Sequence, residues 1–276
     1  MERPIVNQRI AFIGGGNMAS AIIGGLLRQG VPPERIDVVE PAAAARDKLG
    51  SDYAVKARAQ AGDFLAAADL VVWAVKPQSF GEAARQAQSH TKNALHLSVA
   101  AGIRSDSIAR WLGSERIVRA MPNTPALIGK GISALFARPA VDQADKEQIA
   151  GIMAGTGEIL WLDAEEKLDV VTALSGSGPA YLFYFMEAMT TAGVEMGLTR
   201  EQAHQLTVAT FVGASALAQG SSEPPRVLRQ RVTSKGGTTD AAISSMEDDD
   251  MQAQLINAIY AARGRAKALG DQFGTS

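Results

Sequence analysis

Ser234, Gly236, Gly237, Thr238 and Thr239 stand together in the stretch RVTSKGGTTDAAI, between two segments that read as helix. Hydroxyls and glycines so grouped can present side-chain donors and backbone N–H groups to an anion at the start of a helix. A capped helical turn also favours Ser, Thr and Gly. A cap needs one such residue, however, and two glycines flanked by hydroxyls exceed that need. DAAISSMED continues as helix, which is expected to leave Gly237 and Thr238 in its first turn with free N–H groups.

A second anion-binding pattern lies near the other end of the chain. Gly14-Gly15-Gly16-Asn17-Met18-Ala19 fits G-x-G-x-x-A, with an apolar strand before it and a helical pattern after it. Gly14 permits the tight turn, Gly16 lets backbone approach a pyrophosphate, and Ala19 allows close packing of helix on sheet. Asn17 and Met18 open the helix whose N–H groups would face the phosphates. Glu40 ends the next strand, where an acidic side chain can accept from a ribose 2′-OH. That leans towards NADH without excluding NADPH. Three further loops end apolar strands on the same edge: Val75-Lys76-Pro77, Ala100-Ala101-Gly102 and the loop holding Asn123 between prolines. Small residues there suit a flat nicotinamide ring. Lys76 reads as a ribose or phosphate contact or as a solvated lysine. Asn123 reads as a carboxamide contact or as a loop-shaping residue.

Other chemistries are excluded. The chain has no cysteine, so disulfides, thiolate nucleophiles and cysteine-ligated metals are absent. The three histidines are isolated from one another, so no metal site is expected. His96, in the apolar run ALHLSVAAG, reads as a satisfied core histidine. A net charge of -2 gives no electrostatic case for nucleic acid or an anionic membrane.

The elements that must position these residues follow from periodicity. Apolar strands are expected at 9–16, 36–40, 69–77, 94–102 and 116–125, with helical segments between them. Strict alternation implies a parallel sheet with right-handed crossovers. GISALFARP and GEILWLD read as the last strands, with a helix between them. From about residue 163 only helical patterns remain. The fold class is therefore α/β, a Rossmann dinucleotide-binding domain at 1–162 followed by an all-helical domain at 163–276. PAYLFYFMEAM is apolar nearly all round, which predicts burial, against a second copy of the chain or else against the chain's own first domain. MERPIVNQRI carries no leader pattern, and no run reaches the ~20 apolar residues of a membrane span. A cytoplasmic protein is expected.

Taken together, AFIGGGNMA, AVKP, SVAAGI, RAMPNTPAL, TALSGSGPAY and VTSKGGTT, in that order, resemble pyrroline-5-carboxylate reductases over about residues 9–268. The resemblance implies NADPH or NADH as cofactor and reduction of 1-pyrroline-5-carboxylate to L-proline. It implies that Ser234 and the N–H groups of Gly237 and Thr238 hold the substrate carboxylate, while the Thr239 hydroxyl meets the ring nitrogen. It also implies a homodimer through the C-terminal helices, commonly built up into a decamer. Lys235 stands where members of the family often have proline, and Ala61 where several have an asparagine near the adenosine. The related β-hydroxyacid dehydrogenases carry G-x-G-x-x-x-K on a helix; here Gly176-Ser177-Gly178 leads to Leu182, and the lysine is missing.

Overall fold

A computed structural model describes residues 5–274; the first four residues, on which the reading of no leader rests, and the last two lie outside the described residues. Ile10–Ile13 (β1) is buried at all four positions, as a strand covered on both faces should be. Ile10 and Phe12 enter one core layer, Ala11 and Ile13 the other, because successive side chains point to opposite faces of a sheet. A glycine turn leads into α1 (Asn17–Arg28), which buries Ala19, Ile22, Ile23 and Leu26 against the first layer.

The unit then repeats. β2 (Ile36–Val39) leads to α2 (Ala43–Tyr53) and β3 (Lys56–Arg58). β4 (Leu70–Trp73), α3 (Pro77–Ala87), β5 (Leu95–Ser98), α4 (Ser105–Leu112) and β6 (Ile117–Met121) follow. β7 (Gly131–Ala137), α5 (Gln143–Ala154) and β8 (Gly157–Trp161) complete an eight-stranded sheet of order β3-β2-β1-β4-β5-β6-β7-β8.

Two details differ from the sequence reading. β3 was not expected; it pairs with β2 at the sheet edge. The sheet is also not wholly parallel, since β7 runs antiparallel to β6. The link between them, 122–130, holds a short 3₁₀ turn, Thr124–Ile128. It is shorter than the dozen or so residues a parallel crossover needs.

Helices follow. The residues SGSGP suit a helix stop, yet α6 (Lys167–Val171) does not end there. It widens into a π-helical turn, Thr172–Gly176, closed by the Ser177 N–H on the Thr172 carbonyl at 2.8 Å, and α7 (Gly178–Glu195) follows. α8 (Arg200–Gln219) starts with a capping box, in which Thr199 accepts from the Gln202 N–H and the Gln202 side chain from the Thr199 N–H. α9 (Pro225–Arg231), α10 (Thr238–Asp248) and α11 (Met251–Gly274) end the chain.

The chain forms two compact units. One runs to Ser177 and includes the segment from Ala262 onward; the other is Gly178–Ala261. Packing thus assigns the first helical residues after 163 to the sheet, because α6 rests on β6 and β7. Within Gly178–Ala261, α7 and α8 pack along each other. Only Thr190, Gly193, Ala203 and Thr207 are buried there, and Phe183, Tyr184, Val212, Leu217 and Tyr260 are left exposed. Among the described residues no helix is long and apolar enough to cross a membrane.

Candidate active site

The glycine turn after β1 shows why its residue types are required. Gly14 has φ +98, and a Cβ there would lie 2.5 Å from the Ala74 carbonyl oxygen. Its N–H donates to Val39 O at 2.8 Å, stitching the turn to the end of β2. Gly16 caps α1 with no side-chain bond, and a Cβ there would meet nothing within 4 Å. The backbone is therefore open where a pyrophosphate would approach. Asn17 is exposed at the first position of α1, Met18 is half-buried, and Ala19 is fully buried under the helix. The first turn of α1 holds no acidic residue, so its unpaired N–H groups are available to an anion.

A cleft of about 420 Å³ lies along this edge. It is lined by Gly14, Gly16, Glu40, Val75 and Lys76 from the sequence reading, and by Ala61. Ser79, Glu82, Ala83 and Gln86 of α3 also line it, and these were missed. Their mutual spacing of three and four residues along α3, which begins at Pro77, is the signal that one helix face turns to the cleft. Pro77 itself borders a different cavity, with Trp111 and Phe273. Ala101 and Asn123 follow β5 and β6, beyond β4 in the sheet, and do not line the cleft. The Asn123 side-chain oxygen accepts from the Ile132 N–H at 3.0 Å, which shapes the link from β6 to β7. These residues fit a dinucleotide: an open glycine cradle, a helix start without competing acid, and a cleft along the strand ends beside them.

Glu40 is held more firmly than its place at a strand end implied. One carboxylate oxygen accepts from the Gly15 N–H at 2.8 Å and the other from the Ala42 N–H at 2.8 Å. The side chain thus braces the glycine turn as well as lining the cleft.

Behind the loop of Ala101 lies a buried ionic network. Glu165 accepts from Arg119 Nη1 at 2.5 Å, from the Ser105 N–H at 2.7 Å and from Ser105 Oγ at 2.5 Å. Arg104 donates to Asp169 at 2.7 Å. Burial alone would raise the Glu165 pKa, but the Arg119 charge and the Ser105 donors outweigh it and hold the carboxyl below its ordinary range. Burial pushes the Arg119 pKa down, against the pull of Glu165. The network fixes the start of α4, and with it the loop from β5 that carries Ala101. His96 is buried and takes no part in the cleft; its Nδ1 accepts from Trp73 Nε1 at 3.2 Å. The expectation of a satisfied core histidine is thus met only in part, because its buried Nε2 has no partner.

In the second unit, SKGGTT forms the turn between α9 and α10. Gly236 has φ +75, a left-handed conformation that a side chain would strain. Gly237 is the N-cap of α10, and no side chain caps that helix. The hydroxyls around it are thus not spent on its end. One expectation is corrected: the Gly237 N–H is not free, since it closes the turn on Ser234 O at 2.9 Å. Gly236 N–H donates to Asp240 Oδ2 at 2.8 Å. The orphan donors left in the first turn are the N–H groups of Thr238, Thr239 and Asp240, the first two being those of the SKGGTT stretch. Ser234, Lys235 and Thr238 are exposed, and Thr239 is half-buried. Among the described residues no group of three or more His, Asp and Glu side chains could hold a metal ion.

A doubly covered sheet with a glycine cradle, followed by helices one of which starts at a second glycine turn with no side-chain cap, defines a dinucleotide-dependent oxidoreductase with a helical C-terminal region. Residues 165–269 match the family model for pyrroline-5-carboxylate reductase dimerisation, and residues 9–102 match that described as NADP oxidoreductase coenzyme F420-dependent. The chain belongs to the pyrroline-5-carboxylate reductase family. It is 45% identical to the pyrroline-5-carboxylate reductase of Pseudomonas aeruginosa, covering 96% of this chain and 98% of that one. The solved pyrroline-5-carboxylate reductase of Coxiella burnetii is similar at 38% identity and TM-score 0.87, over 95% of this chain and 98% of that one. That of Plasmodium falciparum, solved with NADP bound, is similar at 29% identity and TM-score 0.87, over 97% and 100%.

Proposed function

We infer that this chain reduces 1-pyrroline-5-carboxylate to L-proline with NAD(P)H, the last step of proline biosynthesis. The observation that carries this reading is that two separate helices start at glycines with no side-chain cap, one at the glycine cradle and one at SKGGTT, each suited to an anion. A simple dinucleotide-binding protein needs only the first.

Gly14, Gly16, Asn17, Met18 and Ala19 form the phosphate end of the cofactor site, and Glu40 takes the adenosine ribose. Val75 and Lys76 line the same cleft, while Pro77, Ala101 and Asn123 stand outside it, at the neighbouring strand ends towards which the nicotinamide would extend. When bound, the reduced cofactor supplies the hydride for the imine carbon. The helical region, residues 163–276, holds the substrate and the dimer contacts; the match of 165–269 to a dimerisation model supports that assignment. Ser234 and the amides of Thr238 and Thr239 grip the substrate carboxylate. Gly237 joins them if its turn to Ser234 opens on binding. The Thr239 hydroxyl meets the ring nitrogen. A cyclic imine is far more basic than a ketone, so solvent supplies much of its protonation, and a hydroxyl that orients the nitrogen and relays a proton suffices. That accounts for a site with no Lys, His or Asp in the part of an acid.

The exposed apolar residues of α7 and α8 are the surface through which two copies pair, and such dimers assemble into a decamer in the cytoplasm. The test is oxidation of NADH and of NADPH by the purified chain with pyrroline-5-carboxylate, followed at the nicotinamide absorbance. Turnover with at least one is expected; none with either would sink the assignment.

A further inference from the structure

We propose that Glu40 makes this enzyme selective for NADH over NADPH. The proposal rests on the reading of the cleft as the dinucleotide site, and it turns on what Glu40 can and cannot do there. The Glu40 carboxylate is fixed at both oxygens, by Gly15 N–H and Ala42 N–H, each at 2.8 Å. A Cβ on Gly15 would lie 3.2 Å from both Cβ and Cγ of Glu40, so the stem of the side chain rests directly on the turn. The Glu40 backbone is tied too, its N–H donating to Arg58 O at 2.8 Å. The carboxylate cannot swing out of the cleft without breaking two charge-assisted bonds.

Each oxygen of an ionised carboxylate has two acceptor sites. One on each is used by an amide, and the others remain for hydroxyl donors such as those of a ribose. A 2′-phosphate offers no such donor. Near neutral pH it is largely dianionic, and it would meet a fixed negative charge at close range. Repulsion there is large in a partly desolvated cleft.

A binder of 2′-phosphate would answer with a cation, and the two arginines flanking this corner are engaged. Arg46 donates to Glu40 O at 2.9 Å and to Pro41 O at 2.6 Å. Arg58 donates to Asp37 at 2.7 Å and lies 4.0 Å from the centre of the Phe64 ring. Lys76 borders the cleft but follows β4, on the other side of β1 from β2. That is two strand spacings, about 10 Å, from Glu40.

Affinities of the wild-type chain and of Glu40→Gln for NADH and NADPH, measured by titration calorimetry without substrate, test the proposal. The wild type is expected to bind NADH at least ~10-fold more tightly, and Glu40→Gln to lower that ratio at least ~10-fold by gaining NADPH affinity. Equal or tighter binding of NADPH by the wild type overturns the proposal, and does so even if the variant fails to fold. A variant that loses both cofactors in equal proportion overturns it as well and leaves Glu40 a brace of the turn. Binding of neither dinucleotide overturns the reading of the cleft along with it. Selective NADH binding with no turnover of pyrroline-5-carboxylate supports the selectivity and refutes the reaction.

Discussion

Acidification should destabilise this protein through His96, and the size of the effect follows from its surroundings. Trp73 donates to Nδ1, so the imidazole is neutral with its proton on Nε2. Protonating Nδ1 would break that bond and place a charge in the core. Burial, with a smaller contribution from the Arg116 charge, lowers the His96 pKa from 6.5 to about 4. The unfolded chain therefore binds the proton more tightly than the folded one, and acid favours unfolding. The contribution is fully present above the unfolded value of 6.5 and is lost as the pH falls towards about 4. The whole displacement corresponds to about 3 kcal/mol. Between about pH 7.5 and about pH 5 the loss is about 2 kcal/mol. For a unit of this size that is a fall in Tm of roughly 4–8 °C. His96→Gln keeps an oxygen that can accept from Trp73 and removes the titrating group. Calorimetric melting of both proteins at the two pH values isolates the histidine, because other acid-sensitive groups, such as Glu165, are common to both. The wild type should lose that much more Tm than the variant. Parallel losses would refute the reasoning.

Thr239→Ala should lower kcat by about 100-fold, at the modest end for a positioned proton donor, and leave NADH affinity within about two-fold by calorimetry; an unchanged kcat removes Thr239 from the reaction. Gly237→Val places a Cβ 3.0 Å from Ser234 O and crowds the carboxylate turn, so inhibition by proline should disappear; undiminished inhibition would show that the carboxylate binds elsewhere. Gly14→Ala combines a positive φ with a Cβ 2.5 Å from Ala74 O, so dinucleotide binding should be lost in titration calorimetry while the α10 turn still binds proline.

The α/β core was legible because its strands are continuous apolar runs and its helices are bounded by glycine and proline. β3 was not: Lys56–Arg58 is a three-residue edge strand with both ends exposed, and so short a segment has no period to detect. The reversal at β7 had a signal that strand–helix alternation obscured, namely a link too short for a crossover. The π turn at Thr172–Gly176 could not be read from its residues, because Ser and Gly there suit a helix stop equally well. At the candidate site, Gly14, Gly16 and Glu40, which border the cleft, were named by type and position. The bond from Glu40 to Gly15 was not, since it joins residues brought together only by β1 and β2 pairing. The Gly237 N–H was assigned by counting from the helix start, and counting does not see a turn that closes on Ser234.

The pair of Arg119 and Glu165 has a consequence for how such a protein can diverge. Removing either partner strands a buried charge and costs about 3–5 kcal/mol, a large share of the ~5–15 kcal/mol that keeps a domain folded. A neutral apolar pair could serve equally well, but reaching it takes two substitutions, and each alone is harmful. Drift is therefore blocked at both positions whether or not they contribute to the reaction. Were the pair found unchanged across distant relatives, that persistence would record an epistatic barrier, and would not by itself mark either residue as catalytic.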